Sequence, residues 1–296
     1  MTEANLCRTD LVAVLMTVRD ETPHILTLRN GSSLPAGPLK SAHRSLQKGL
    51  RAWVEQQTGF HLGHIEQLYT FGDTQCEDGM RLVRISYMAL TSTSTDEGDW
   101  RSVYDYFPWE DRRRGDTDVI LTQIVEHIRK WSDGRSDRHR RCAIAFGLDN
   151  HPWNDELVLQ RYELLWEAGL VAESHIKGEF ILHSRAMSDD YRRVLATAMS
   201  RIRARIRYTP AVFDLLPTHF TLFQLQQTME ALAGRFMHKQ NFRRLVLSQH
   251  LVSETDSYEQ AGQGRPARLY RFDPAGSENC YLAGAKLPLS RVPPSS

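Results

Sequence analysis

The chain has 296 residues, 41% of them hydrophobic and 25% charged, a globular balance that excludes a wholly disordered, collagen-like or coiled-coil chain. At about 100–200 residues per domain this length predicts two domains. Its net charge of +1 hides a split, because residues 185–272 hold 14 Lys+Arg against 7 Asp+Glu while the remainder is acidic. Such asymmetry points to a nucleic-acid partner for the basic part. The apolar runs at 11–16 and 180–182 fall short of the ~20 residues a bilayer span needs, and the polar start MTEANLCRTD has no apolar signal core. A cytoplasmic protein without membrane contact is therefore expected. Cys7, Cys76, Cys142 and Cys280 lie far apart and read as free thiols rather than a disulfide frame or a zinc site.

The first half alternates strand and helix patterns. Residues 11–18 and 24–29 read as a hairpin closed by Asp20-Glu21-Thr22-Pro23. A loop with Gly31, Pro35, Gly37 and Pro38 leads to a helix predicted over 41–58, whose Leu46, Leu50, Trp53 and Val54 share one face, with Trp53 expected in the core and Gly59 as the stop. Strands are predicted at 65–71, 82–90, 103–107 and 143–146, and helices at 118–131 and 156–168.

The second half changes character. Ser188-Asp189-Asp190 is expected to cap a helix running to about 208. Its Arg201, Arg203, Arg205 and Arg207 alternate and read as a solvated surface. Helices over 222–233 and 239–249, a turn at Gly234, the strand-like LVSETD, a loop with Gly262 and Gly264, and the strand ARLYRF follow. Helix, short turn, helix and two-stranded ribbon is the order of a winged helix-turn-helix, whose second helix enters the major groove. His238, Lys239, Gln240, Asn241, Arg243 and Arg244 open that second helix. Amides suit adenine edges, and guanidinium groups suit guanine edges and phosphates. Arg265 and Arg268 in the small, basic wing complete the expected DNA-binding set. Double-stranded DNA is favoured over RNA because no aromatic platform interleaves with the basic residues in the sequence.

The strand–loop–helix over 24–60 resembles the Nudix fold, whose signature is G-x5-E-x7-R-E-U-x-E-E-x-G-U with U apolar. Anchored on Gly59 and Phe60, the signature keeps Val54 but sets Gln56 and Gln57 at the paired glutamates, Ala52 and Trp53 at the Arg-Glu pair, Arg44 at the first Glu and Pro38 at the opening Gly. The chemistry of such a box lies in carboxylates that hold divalent cations, and Gln lacks the charge a hard cation demands. A catalytic set and a metal site are therefore not expected, and a binding role remains. Arg44, Arg51, Gln56 and Gln57 are the candidate ligand contacts, with His61 and His64 read as turn or surface residues.

LTLRNGSSLPAGPL, GLRAWVEQQTG with EQLYTFGD, LVLQRYELLWEAGLV, and NFRRLVLSQHLV followed by GRPARLYRF together resemble the Nudix-related transcriptional regulators of NAD biosynthesis, of the NadQ and NrtR kind. The resemblance implies an α+β protein: an N-terminal Nudix-like α/β/α sandwich with a mixed sheet over 1–184, a connecting helix over 185–210, a winged helix-turn-helix over 211–275 and a flexible tail over 276–296. It further implies a homodimeric repressor of NAD biosynthesis genes that needs no cofactor and senses an adenine nucleotide or NAD-related metabolite such as NAD, ADP-ribose or ATP. Residues 112–178 exceed what the ADP-ribose-sensing members of that family carry. The competing readings are a nucleotide pyrophosphohydrolase with a rearranged metal site around Glu55 and an RNA-binding adaptor.

Overall fold

In a computed structural model of the chain, the described residues are 7–75, 80–92, 97–176, 178, 180–206, 210–259 and 266–275. Strands β1 (Cys7–Arg19), β2 (Thr22–Thr27) and β3 (Ala36–Pro38) precede helix α1 (Leu46–Thr58), and β4 (Ile65–Gln75), β5 (Arg81–Leu90) and β6 (Asp99–Ser102) follow. The sheet runs β4-β5-β1-β2-β6, with β3 paired to β1. It is mixed: β1 and β5 are parallel, while β4 pairs antiparallel with β5 and β2 antiparallel with both β1 and β6. Both faces of β1 are buried, which explains its unbroken apolar run. Leu11, Ala13 and Leu15 pack with Leu50 and Val54 of α1, whereas Val12, Val14 and Met16 join the larger core on the opposite face.

A short helix α2 (Val103–Tyr106) and a 3-10 turn (Pro108–Glu110) lead into α3 (Asp116–Ser132), α4 (Ser136–Phe146) and α5 (Val158–Glu167). Then come α6 (Tyr191–Arg205), a 3-10 turn (Pro210–Leu215), α7 (Leu222–Ala233), α8 (Lys239–Ser248) and the hairpin β7 (Val252–Glu259) and β8 (Ala267–Phe272). Helix α1 covers one face of the sheet, and α6 and α7 contact the other, so the α/β/α layering is completed by helices that lie beyond residue 184. A single hydrophobic core runs from the sheet through α5 and α6 into α7, α8 and the hairpin.

Several expectations are corrected. Helix α1 starts at Leu46 rather than at residue 41, because Ser45 caps it by accepting from the Lys48 amide at 3.2 Å. Residues 143–146 form the last turn of α4, and 103–106 form a helix after β6: their apolar character reflects burial, which suits either element. Asp189 and Asp190 do not cap α6 with their side chains. They turn to buried Arg84 of β5, at 2.8 and 3.0 Å. Trp53 is half-buried rather than core. Its indole lies over Gly37, where any Cβ would meet the ring, and donates to the Pro38 carbonyl at 2.9 Å.

Candidate nucleic-acid interface and sensor face

Helix α7 is capped at its start by a reciprocal box: the Thr221 hydroxyl accepts from the Gln224 amide at 3.1 Å, and the Gln224 side chain accepts from the Thr221 amide at 2.8 Å. It stops at Gly234, held at φ +69° with the Glu110 carbonyl too close for any Cβ. Buried Glu230 then shapes the turn to α8, accepting from the Met237 amide and the Gln226 side chain, both at 2.8 Å. Phe242 and Val246 anchor α8 to the core. The remaining positions at its start are open: His238, Lys239, Gln240, Asn241, Arg243 and Arg244 are all exposed. Among the described residues no carboxylate pairs with Lys239, Arg243 or Arg244, so their charge faces solvent.

The hairpin pairs from Val252↔Phe272 to Glu259↔Ala267, and Phe220 bridges to Tyr270 as a short third partner. Arg268 ion-pairs with Glu254 and donates to the Tyr258 hydroxyl at 2.9 Å, so it braces the hairpin as well as facing outward. Its bond to the Tyr258 hydroxyl, with the Glu254 charge, holds the Arg268 guanidinium above its ordinary range. Arg265, Gly262 and Gly264 lie outside the described residues. A cavity of about 500 Å³ lies between the start of α7, the start of α8 and the hairpin, lined by Phe223, Lys239, Arg243, Tyr258 and Arg268. The exposed aromatics Phe223 and Tyr258 escaped the sequence reading, which expected no ring among the cations. Three-dimensional juxtaposition, not spacing, brings them to Lys239 and Arg268.

The four candidate ligand contacts, Arg44 just before α1 and the other three on it, separate. Arg51 donates to the carbonyls of Leu62 and Gly63, tying down the loop after the helix. Gln57 is bonded to both the amide and the carbonyl of Ala36, at 3.1 and 2.8 Å, and so holds β3. Arg44 and Gln56 stay exposed. Glu55 faces His61 at 3.5 Å. Among the described residues no group of three His, Cys, Asp or Glu side chains is placed to hold a metal ion. The donor set of α1 does not fit the divalent cation of a catalytic Nudix box, since its paired positions carry Gln56 and Gln57, the latter already bonded to Ala36.

A buried ionic cluster joins this half to α7, and the sequence reading missed it. Glu110, 1% exposed, accepts from Arg161 at 2.6 and 2.9 Å and from Arg203. Burial alone would raise the Glu110 carboxyl, but the two guanidinium groups outweigh it and hold it below the ordinary range. Arg203, together with Tyr104 and the Arg112 amide, also satisfies the open end of α7, whose last carbonyls have no partner within the helix. Arg203 donates to Leu232 at 2.8 Å, Tyr104 to Ala231 at 2.5 Å and the Arg112 amide to Gly234 at 2.7 Å. Arg235 pairs with Asp155 at 2.7 Å beside them. The signal was available: Arg203 lies four residues after Met199 and three before Ile206, on the buried stripe of α6.

Residues 212–272 match the family model of the NrtR DNA-binding winged helix domain. The C-terminal unit is thus NrtR-like. The chain is 40% identical over 83 residues to the ADPR responsive transcriptional repressor NtrR of Acinetobacter baylyi, a match spanning 28% of this chain and only 33% of that relative. The Shewanella oneidensis NrtR structure solved with a 27mer DNA aligns over 94% of this chain and 97% of its own, with a TM-score of 0.52 and 18% identity. A MutT/nudix family protein from Enterococcus faecalis aligns over 92% and 89%, with a TM-score of 0.53 and 14% identity. These likenesses show the fold: a Nudix-like sandwich followed by a winged helix. Residues 112–178 hold α3, α4 and α5.

Proposed function

We propose that the chain is a ligand-responsive transcriptional repressor of NAD biosynthesis genes, acting in the cytoplasm as a homodimer on double-stranded DNA. The observation that carries this reading is the open row of cations and amides at the start of α8, within a segment that matches an NrtR DNA-binding winged helix. Lys239, Gln240, Asn241, Arg243 and Arg244 face the major groove, with His238 at its edge. Arg265 and Arg268 meet the backbone from the wing.

The sensor is the Nudix-like sandwich, and its effector is an adenine nucleotide or NAD-related metabolite, with ADP-ribose first in line because the A. baylyi relative is named for its response to ADPR. Arg44, just before α1, and Gln56 of α1 are the exposed contacts offered to it. A ligand that binds one pose of the sensor more tightly must change DNA affinity by the same factor. The sandwich acts as a binding module rather than a hydrolase, since the positions that carry metal-holding carboxylates in a Nudix box are Gln56 and Gln57 here.

A mobility-shift titration of the full chain with duplex DNA from upstream of NAD synthesis genes tests this. A shift that ADP-ribose alters is expected, and no shift at moderate salt, with or without nucleotides, refutes it. Turnover of ADP-ribose with Mg²⁺, lost in Glu55→Gln, would instead establish the hydrolase reading.

A further inference from the structure

The sensor sheet and the winged helix meet at a second cavity, of about 450 Å³, which is within the range of small-molecule sites. On the sensor side it is bounded by His64, Glu66 of β4 and the apolar Met88 and Leu90 of β5. On the DNA-reading side, Phe213, Phe220 and Phe272 form an aromatic wall, with ring centroids 4.5 and 5.6 Å apart around Phe213. Arg205, at the end of α6, pairs with Glu66 across the base of the cavity. Arg271 of β8 enters from the opposite side, exposed, with no carboxylate paired to it among the described residues. Asp214 and Thr218 add polar groups at the mouth.

This is the composition of a site for one flat ring, one polar spacer and one anion. Aromatic rings favour stacking or edge contact with a planar base, and an unpaired guanidinium prefers a multidentate oxyanion. Glu66, His64 and Thr218 offer acceptors and donors for hydroxyl groups between the two ends. We propose that this seam is a nucleotide site separate from the face of α1, and that it takes a nucleoside monophosphate. The base lies against the wall of Phe213 and Phe272, and the phosphate meets Arg271. The proposal takes its regulatory interest from the repressor reading but does not need the effector of that reading to be ADP-ribose.

The test is calorimetric titration of the full chain, without DNA, with AMP, adenosine and inorganic phosphate as separate titrants and ADP-ribose in parallel. AMP is expected to bind more tightly than either adenosine or phosphate. Arg271→Glu, which reverses the charge at the anion end, and Thr218→Trp, which fills the mouth from an exposed position, should each weaken AMP at least tenfold. Both positions are exposed, so unchanged circular dichroism and thermal midpoint are expected and confirm the fold. Arg44→Ala, before the start of α1, should leave AMP affinity unchanged. Absence of AMP binding, or equal affinity in Arg271→Glu, Thr218→Trp and wild type, overturns the seam site. ADP-ribose binding in that case leaves the effector reading standing. AMP binding at the seam with no ADP-ribose binding supports the site and removes ADP-ribose as effector.

Discussion

Glu110 shows how one side chain can hold three parts of a molecule together. It sits in the turn after α2, and its two guanidinium partners come from α5 and α6, both essentially inaccessible to water. Buried charges are costly to desolvate, so the cluster is stable only while complete. Replacing Glu110 by Gln strands two buried cations, and a loss of about 3–5 kcal/mol is expected, read as a fall in midpoint in urea or heat denaturation. The pH dependence has a definite sign. The native carboxyl titrates below its unfolded value, so its contribution is fully present above about pH 4.3 and is lost as the pH falls through the native value. Acid unfolding should therefore begin at a higher pH in Glu110→Gln, and its stability should vary less steeply over the acid range. On the surface the opposite logic applies. Arg243→Ala and Arg244→Ala remove exposed groups with no carboxylate partner among the described residues, so the thermal midpoint should hold while duplex affinity drops by about 1–3 kcal/mol if the arginine reads a base. Fluorescence anisotropy with operator and scrambled duplexes separates a base contact from a phosphate contact. Only the former relaxes specificity.

At the scale of elements, α7 is fixed at both ends by different means. Its start is closed by its own Thr221 and Gln224, its end by groups from the sandwich and α6. Thr221→Ala should cost about 0.5–2 kcal/mol of stability, measured by chemical denaturation, without touching the exposed face of α8. The helices of this part were readable because their signals are local. Residues 222–233 carry a cap, an apolar face and a terminal glycine, and 267–272 carry strand alternation, and both elements occur where expected. The segments at 103–107 and 143–146 were not readable, since a short buried apolar run suits either helix or strand until its neighbours are known. Residues 189 and 190 failed for another reason. The aspartates fit a cap by type, but Arg84, distant in sequence, competes for them and wins. Two of the candidate ligand contacts, Arg51 and Gln57, hydrogen-bond to backbone groups of the adjoining loop and strand, a pairing between segments distant in sequence that spacing alone does not reveal. The amphipathic spacing of α8 was legible, with Phe242 and Val246 buried and the polar positions between them exposed.

For the whole molecule, the charge split of the sequence becomes a spatial arrangement, with the free cations of α8 on the outside of the winged helix. No helix among the described residues is long and apolar enough to cross a membrane. If the basic face binds duplex DNA through phosphates, affinity must fall linearly on a log–log plot against salt, with a slope of about −0.9 per phosphate neutralised. Anisotropy titrations across a range of potassium chloride concentrations give that slope. Lys239→Ala should reduce it by about one if Lys239 contacts a phosphate. A flat salt dependence would exclude the proposed surface.

The shared termination of α7 also bears on whether this reading head is portable. The carbonyls of Ala231, Leu232 and Gly234 are completed by Tyr104, Arg203 and Arg112 in turn, all outside the 212–272 segment. Excised or grafted onto another sensor, the segment would carry an open helix end and a bare apolar flank. A chimera that keeps its operator choice should therefore need α6 and the turn around Glu110 transplanted along with it.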